Sequence, residues 1–328
     1  MYRSRIAGIG AYLPEKLLTN YDLEKMMETS HDWIVKRTGI VNRHIVDPKE
    51  GTSDLCVRAC QQAIKDANIS LDDIDMLLVA TVSGDYRMPA TACIIQAKLG
   101  MKNIMAFDIA AACSGFIYGL NIADQFIRTG AFKNILVVGA ESLSRLLDYG
   151  DRETSILFGD AAGAWVVQRT EAQAKDVIMT AHSHADGHLY DLLWVPGGGT
   201  RRPFDAAMLE DKSHYMIMNG KEIFKNAVRT MVQCSLEALE SAQLSLDQID
   251  WVIPHQANVR IIEAVADYLK FPMEKVICYV HETANTSAAS IPVAFEMAVK
   301  EGKIKRGQTI LLTAFGAGLT SGSLVFKY

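Results

Sequence analysis

Two stretches of this chain are copies of one another. Val57–Asp75 lies over Val232–Asp250 at an offset of 175 residues. Eight of 19 positions are identical: Val57, Ala63, Ala67, Ser70, Leu71, Asp72, Ile74 and Asp75 against their counterparts. Each copy reads as a helix, a Ser-Leu-Asp turn and a strand, Met76-Leu77-Leu78-Val79 in one and Trp251-Val252-Ile253 in the other. A second pair sets Met101–Cys113 over Met273–Asn285 at an offset of 172, and a third sets Ile135-Leu136-Val137 over Ile310-Leu311-Leu312. A unit that occurs twice and alternates helices with continuous apolar strands is restricted to two stacked α/β halves with buried sheets. Two copies do not make a solenoid. The polar stretch Thr170-Glu171-Ala172-Gln173 marks the seam and divides the chain into halves of 1–172 and 173–328. If the halves pack about a pseudo-twofold axis, the offset of 172 sets Asn285 opposite Cys113.

Composition narrows the function classes. A chain of 328 residues that is 49% hydrophobic has ample material for a core. Its formal net charge of −5 disfavours a nucleic-acid binder, which would be basic. No apolar run reaches the roughly 20 residues that cross a bilayer. Met1-Tyr2-Arg3-Ser4-Arg5 leads into no long apolar segment, so no signal peptide and no membrane association are expected, and the location expected is the cytoplasm. The six cysteines include no C-x-x-C pair, and Cys56 and Cys60 have no histidine near them in sequence. They read as core residues rather than as a zinc site or disulfide, and no metal is expected. Gly8 and Gly10 form a lone G-x-G without the later glycine, and Gly197-Gly198-Gly199 reads as a loop. A dinucleotide-dependent dehydrogenase is therefore a poor fit.

Chemistry concentrates at Ala110-Ala111-Ala112-Cys113-Ser114-Gly115. A thiol at a helix N-terminus faces unpaired N–H groups and the positive end of the helix dipole, which favour thiolate. Cys113 is thus a candidate nucleophile, or a small core cysteine. His255 follows the strand of the second half, at a strand end, where α/β proteins place functional groups. With Asn285 it completes a nucleophile, an imidazole and an amide that cannot titrate away. His182, His184 and His188 are further candidates, although His-x-His there reads as a loop.

Five motifs carry a resemblance over essentially the whole chain: Trp33-Ile34-Val35-Lys36-Arg37-Thr38-Gly39-Ile40, Asp108–Cys113, Phe158–Ala164, His255-Gln256-Ala257-Asn258 and Asn285–Ser290. With them the chain resembles the type III β-ketoacyl-acyl-carrier-protein synthases, condensing enzymes of the thiolase-like fold. The Cys/His/Asn set separates this group from elongating synthases and from thiolases. The resemblance implies an α-β-α-β-α sandwich and a decarboxylating Claisen condensation that initiates fatty-acid synthesis. Cys113 would take the acyl group of a short acyl-CoA, acetyl-CoA first among them. Malonyl-acyl-carrier protein would then lose carbon dioxide and attack, giving 3-oxoacyl-acyl-carrier protein. His255 and Asn285 would hold the enolate oxygen. The backbone N–H groups of Cys113 and Ala317 would form the other oxyanion hole. Ala317 departs from the family's usual glycine, and a positive φ there would carry strain.

By the same resemblance, Trp33 and Arg152 would sandwich the CoA adenine, Arg37 would pair with a phosphate and Asn258 would line the pantetheine tunnel. Trp33 also suits an ordinary core position. Leu143, Phe158 and Leu193 would line the acyl pocket, and Met88 would be inserted by the partner of an obligate homodimer. A flexible methionine there would admit more than acetyl. Lys221, Lys225 and Arg229 recur every four residues as a basic stripe. They could be a solvated helix face, or could dock the acidic carrier protein together with Gln256, Ala257 and Arg260. No cofactor is expected beyond the substrates. Enzymes of secondary metabolism or branched-chain priming share these motifs and stay open as alternatives. A non-catalytic relative is disfavoured by the retained Cys113.

Overall fold

The computed structural model describes residues 2–328. A five-stranded sheet runs in the order Arg3–Tyr12, Asp160–Thr170, Asn134–Ser142, Met76–Ala80, Met105–Ile109. A four-stranded sheet runs Ile178–Ala185, Thr320–Lys327, Thr309–Gly316, Trp251–Pro254. Val276 bridges Val252 in parallel, where a fifth strand would lie. The two sheets share one topology, with matching parallel and antiparallel pairs in the same positions.

The repeated residues have structural jobs. Buried Leu55, Cys56, Ala59, Cys60, Ala63 and Ile64 give helix Thr52–Asp66 one apolar face on the first sheet. Helix Gly220–Ala242 covers the second sheet in the same way. Ser70 and Ser245 each cap a short 3₁₀ turn. The identical aspartates that follow clasp adjacent strands. Asp75 accepts from the Asn134 N–H at 3.0 Å, and Asp250 from the Thr309 N–H at 2.7 Å.

Helices Gly115–Arg128 and Ser290–Lys300 form the central layer between the sheets. The first is apolar on several sides, burying Phe116, Ile117, Leu120, Ala123 and Ile127. The result is the five-layer arrangement, with helices outside each sheet and a helix pair within. Cys56 and Cys60 are fully buried and unpaired. Gly8 and Gly10 lie within strand Arg3–Tyr12. They let a helix cross a strand at close range, since a Cβ on Gly8 would lie 2.3 Å from both the Ala63 O and the Ala67 N.

The halves are not strict copies. From the strand pair to the central helix, the second half is five residues longer than the first. The 3₁₀ turn Ala112–Ser114 therefore matches Ser287–Ala289, and the counterpart of Cys113 is Ala288. The added stretch includes the short helix Val280–Thr283, which has no counterpart in the first half, and Asn285 follows it. Val276 takes the place of Ala106, an offset of 170, and the turn returns to 175, so the offset of 172 holds for neither and the expected symmetry of Cys113 with Asn285 is corrected.

Gly8→Ala should lower the unfolding free energy by about 1–3 kcal/mol, because backbone rather than a movable side chain blocks the methyl. Gly187→Ala meets nothing within 4 Å and should stay within about 0.5 kcal/mol. Urea denaturation of both variants measures the contrast.

Candidate active site

Cys113 sits on a strained elbow. Strand Met105–Ile109 ends, Ala112 takes a φ of 45°, and the central helix begins at Gly115. Left-handed backbone in a non-glycine residue is costly and persists where surrounding structure enforces it. The enforcement comes from the other half. Gly316, at the end of strand Thr309–Gly316, packs so closely that a Cβ on it would lie 2.7 Å from the Cys113 N. The reciprocal contact joins Gly139 to the matching turn, where a Cβ would meet the Ala288 O at 2.2 Å.

The sulfur is 6% exposed at residue level, and burial pushes its pKa up to about 12. The Ser287 hydroxyl and the cysteine's own N–H oppose this but do not overcome it. The expectation of a resting thiolate is therefore corrected: desolvation outweighs the favourable placement, and the resting group is a thiol.

His255 follows strand Trp251–Pro254, and its N–H donates to the Thr313 O at 2.8 Å. Its Nδ1 lies 2.7 Å from the Ser290 Oγ, and that oxygen also accepts from the Gln256 N–H at 3.4 Å. With Ser290 donating to Nδ1, the ring proton resides on Nε2. Burial lowers the His255 pKa to about 3, which keeps the imidazole neutral. The Asn285 backbone is fixed by Leu157 and Gly159, and its Oδ1 accepts from the Ser287 N–H at 2.9 Å. That bond uses the acceptor and leaves Nδ2 as the donor end.

Cys113, His255 and Asn285 line one cavity of about 840 Å³. Trp33, Arg37, Arg152 and Asn258 line it too, as do Phe158, Leu193, Ala257, Lys221 and Arg260. Trp33 is half-buried, and the guanidinium carbons of Arg37 and Arg152 lie 5.2 Å and 5.1 Å from its ring centre. Asn258 caps helix Val259–Leu269 by accepting from the Ile261 N–H at 3.0 Å. Leu143 is buried in the same apolar cluster as Phe158 but is not part of the cavity wall. Met88 is 83% exposed and stands away from the cavity of its own chain. The strained position in the final loop is Gly318, with φ 129°, rather than Ala317. Among the described residues, no carbonyl accepts from the N–H of Cys113 or Ala317.

Lys221, Lys225 and Arg229 are exposed on helix Gly220–Ala242, and Arg260 is exposed beside them over the Phe224 ring. Gln256 does not join them. It is fully buried, donating to the Pro254 and Ile277 carbonyls and accepting from the Tyr279 N–H. Its place as a carrier-protein contact is corrected, because it is a latch beneath the histidine. His182 and His184 lie on an edge strand rather than in a loop. They cluster with Glu237 away from the cavity, His184 Nε2 lying 2.9 Å from a Glu237 oxygen, while His188 is exposed beside Asp186.

Residues 107–187 match the 3-oxoacyl-[acyl-carrier-protein] synthase III family, and residues 239–328 match its C-terminal region. The beta-ketoacyl-[acyl-carrier-protein] synthase III of Caldanaerobacter subterraneus subsp. tengcongensis is 50% identical over 98% of this chain and 97% of its own. The chain belongs to the 3-oxoacyl-[acyl-carrier-protein] synthase III family. The crystal structure of the Aquifex aeolicus synthase III superposes with a TM-score of 0.91 at 46% identity, covering 99% of this chain and 100% of that one. The priming β-ketosynthase of the R1128 polyketide pathway superposes at 0.90 with 32% identity, covering 99% of this chain and 96% of its own. These likenesses establish the thiolase-like α/β fold.

Three side chains that the sequence did not mark belong to this synthase site. Ser290 touches the imidazole and the Ser287 hydroxyl favours the thiolate form of Cys113, and their signal was the serine spacing after Asn285. Glu141 lies behind Ser287, and its signal was a carboxylate closing the apolar run Ile135–Ala140.

His255 also ties stability to pH. Its folded pKa lies below the ordinary value of 6.5, so between about 6.5 and 3 the unfolded chain binds the extra proton. Stability should therefore fall on acidification by up to about 1.4 kcal/mol per pH unit through that window. His255→Gln should flatten this part of the profile when unfolding is followed from pH 7 to pH 4.

Proposed function

We propose that this synthase catalyses the initiating condensation of fatty-acid synthesis, joining a short acyl-CoA to malonyl-acyl-carrier protein through an acyl-Cys113 intermediate. One observation carries the reading. A single cavity runs from Trp33 and Arg152 at the surface to Cys113, His255 and Asn285 at its floor. An adenine would enter between Trp33 and Arg152, where stacking and cation–π attraction hold it. The pantetheine arm would then pass Asn258 and present its thioester to the sulfur. Arg37, Lys221 and Arg260 supply positive charge for the phosphates along the way.

In acylation, Cys113 attacks the thioester carbon, and the backbone N–H groups of Cys113 and Ala317 receive the oxyanion. CoA leaves as the acyl group transfers. In condensation, the malonyl carboxylate departs as carbon dioxide, and the electron pair becomes an enolate. His255 Nε2 and Asn285 Nδ2 donate to its oxygen. Neutral donors serve this role well, because they stabilise developing charge without giving up a proton. Each such donor is worth about 3–4 kcal/mol of barrier. The carbanion carbon then attacks the acyl-Cys113 carbon. The chemistry draws on the substrates' own thioesters and carboxylate, and needs no cofactor.

Phe158 and Leu193 form the acyl end of the cavity, with Leu143 behind them. In a homodimer, the exposed Met88 of each protomer would close the other's acyl pocket. Lys221, Lys225, Arg229 and Arg260, with Ala257 at the rim, would receive the acidic carrier protein. The natural division is 1–172 and 173–328, one sheet to each half, and the working location is the cytoplasm.

Intact-mass spectrometry with a panel of acyl-CoAs tests the donor. Acetyl-CoA should add one acetyl group, peptide mapping should place it on Cys113, and Cys113→Ala should abolish it. No adduct from any acyl-CoA would reject the reading. His255→Ala or Asn285→Ala should spare the adduct while lowering the condensation rate by about 100- to 1,000-fold. Lys225→Glu should weaken the use of malonyl-acyl-carrier protein at low salt and leave acylation by acyl-CoA intact, as read by separate half-reaction assays.

A further inference from the structure

The site as described lacks a base for its thiol. Burial holds the Cys113 proton on with a pKa of about 12. His255 is a poor acceptor, since burial has lowered its own pKa to about 3 and its Nδ1 is engaged by Ser290. Asn285 does not titrate. The Ser287 hydroxyl, on the turn packed against that of Cys113, favours the thiolate form of the sulfur. The same hydroxyl lies 3.1 Å from Glu141 Oε1, and Ser287 and Glu141 are 2% and 0% exposed. The buried Ser287 hydroxyl thus stands between the Cys113 turn and the Glu141 carboxylate. A hydroxyl has one proton and can give it to the thiolate or to the carboxylate, not to both.

We propose that Glu141 holds the Cys113 proton during acylation, receiving it through Ser287. The proposal rests on Cys113 being the acylated nucleophile. As the sulfur attacks the thioester carbon, the S–H proton moves to Ser287 Oγ and the Ser287 O–H proton moves to Glu141 Oε1. The new S–C bond forms, and the carbonyl electron pair moves onto oxygen. When the adduct collapses, the bond to the CoA sulfur breaks. That sulfur takes the proton back along the same path. Carboxylate and hydroxyl are restored, and CoA leaves as a thiol. Glu141 touches no substrate atom, so it is a positioning residue that acts through Ser287.

The surroundings of Glu141 suit the task. The second oxygen, Oε2, accepts from Thr81 Oγ1, the Val82 N–H and Ser83 Oγ, which fixes the carboxyl group. Burial raises its pKa to about 7, against the pull of these bonds. The titratable groups coupled to it are Cys113 on the turn and Cys56 on helix Thr52–Asp66. Asp85 and Asp108 act on the same Cys56. None of these neighbours is a cation, so the carboxyl group can exchange a proton near neutral pH.

The test follows single-turnover acetylation of Cys113 by acetyl-CoA, and its alkylation by iodoacetamide, from pH 5.5 to 9. In the native enzyme both rates should climb about tenfold per pH unit, then level above an inflection near pH 7, where Glu141 is ionised. Glu141→Gln should remove the inflection and slow acetylation at pH 7.5 by about 100-fold. Ser287→Ala should reproduce both effects with Glu141 left in place. A merely structural role would lower the rates but keep the inflection. An inflection retained in either variant, with rates within twofold of native, would overturn the proposal. Iodoacetamide needs no thioester, so its profile decides the relay even if acetyl-CoA proves not to be the donor.

Discussion

The site depends on how closely the two halves approach at the seam. Gly316 of the second half presses on the backbone of Cys113, and Gly139 of the first presses on that of Ala288. A methyl group at either glycine would overlap main-chain atoms, which cannot swing aside as a side chain could. The two turns are therefore braced by each other's sheets. That bracing sustains positive φ at Ala112 and at Ser287, and it aims the sulfur into the cavity rather than into the core. Local strain is offset by packing that spans the whole chain.

Burial then assigns the chemical states. The same dry environment raises the thiol, lowers the imidazole and brings a carboxyl group toward neutrality. Desolvation penalises each charged form, whatever its sign. The consequence for catalysis is coherent. A neutral His255 with its proton on Nε2 would donate to an enolate oxygen, and Ser290 donating to Nδ1 would hold that tautomer. A protonated Cys113 must pass its proton on at the moment of attack, and the serine behind it leads to a carboxylate. Ser290 and Ser287 thus play parallel parts on opposite sides of one floor.

The second half departs from the first where function needs it to. Five added residues before the central helix carry Asn285 into the cavity wall. The first half has no equivalent and keeps Cys113 on the short connection instead. Duplication supplied the scaffold, and the insertion broke its symmetry to bring a nucleophile from one half against the polar donors of the other.

The repeat, the apolar strands and the identities of Cys113, His255 and Asn285 were legible in the amino-acid order. Each depends on local pattern or on a motif. Gln256 was misread, because a polar residue beside a functional histidine looks like a contact and only the fold reveals three buried hydrogen bonds. The resting thiol was misread for a similar reason: a helix N-terminus is visible in sequence, and the depth of burial is not. Glu141 went unmarked because its partner Ser287 lies 146 residues away. Sequence alone determined which elements form, since periodicity and turn chemistry act over a few neighbours. Tertiary structure alone decided which hydroxyl meets which acid, which groups lose water and therefore which carry charge, because proximity across the seam exists only once the halves have closed.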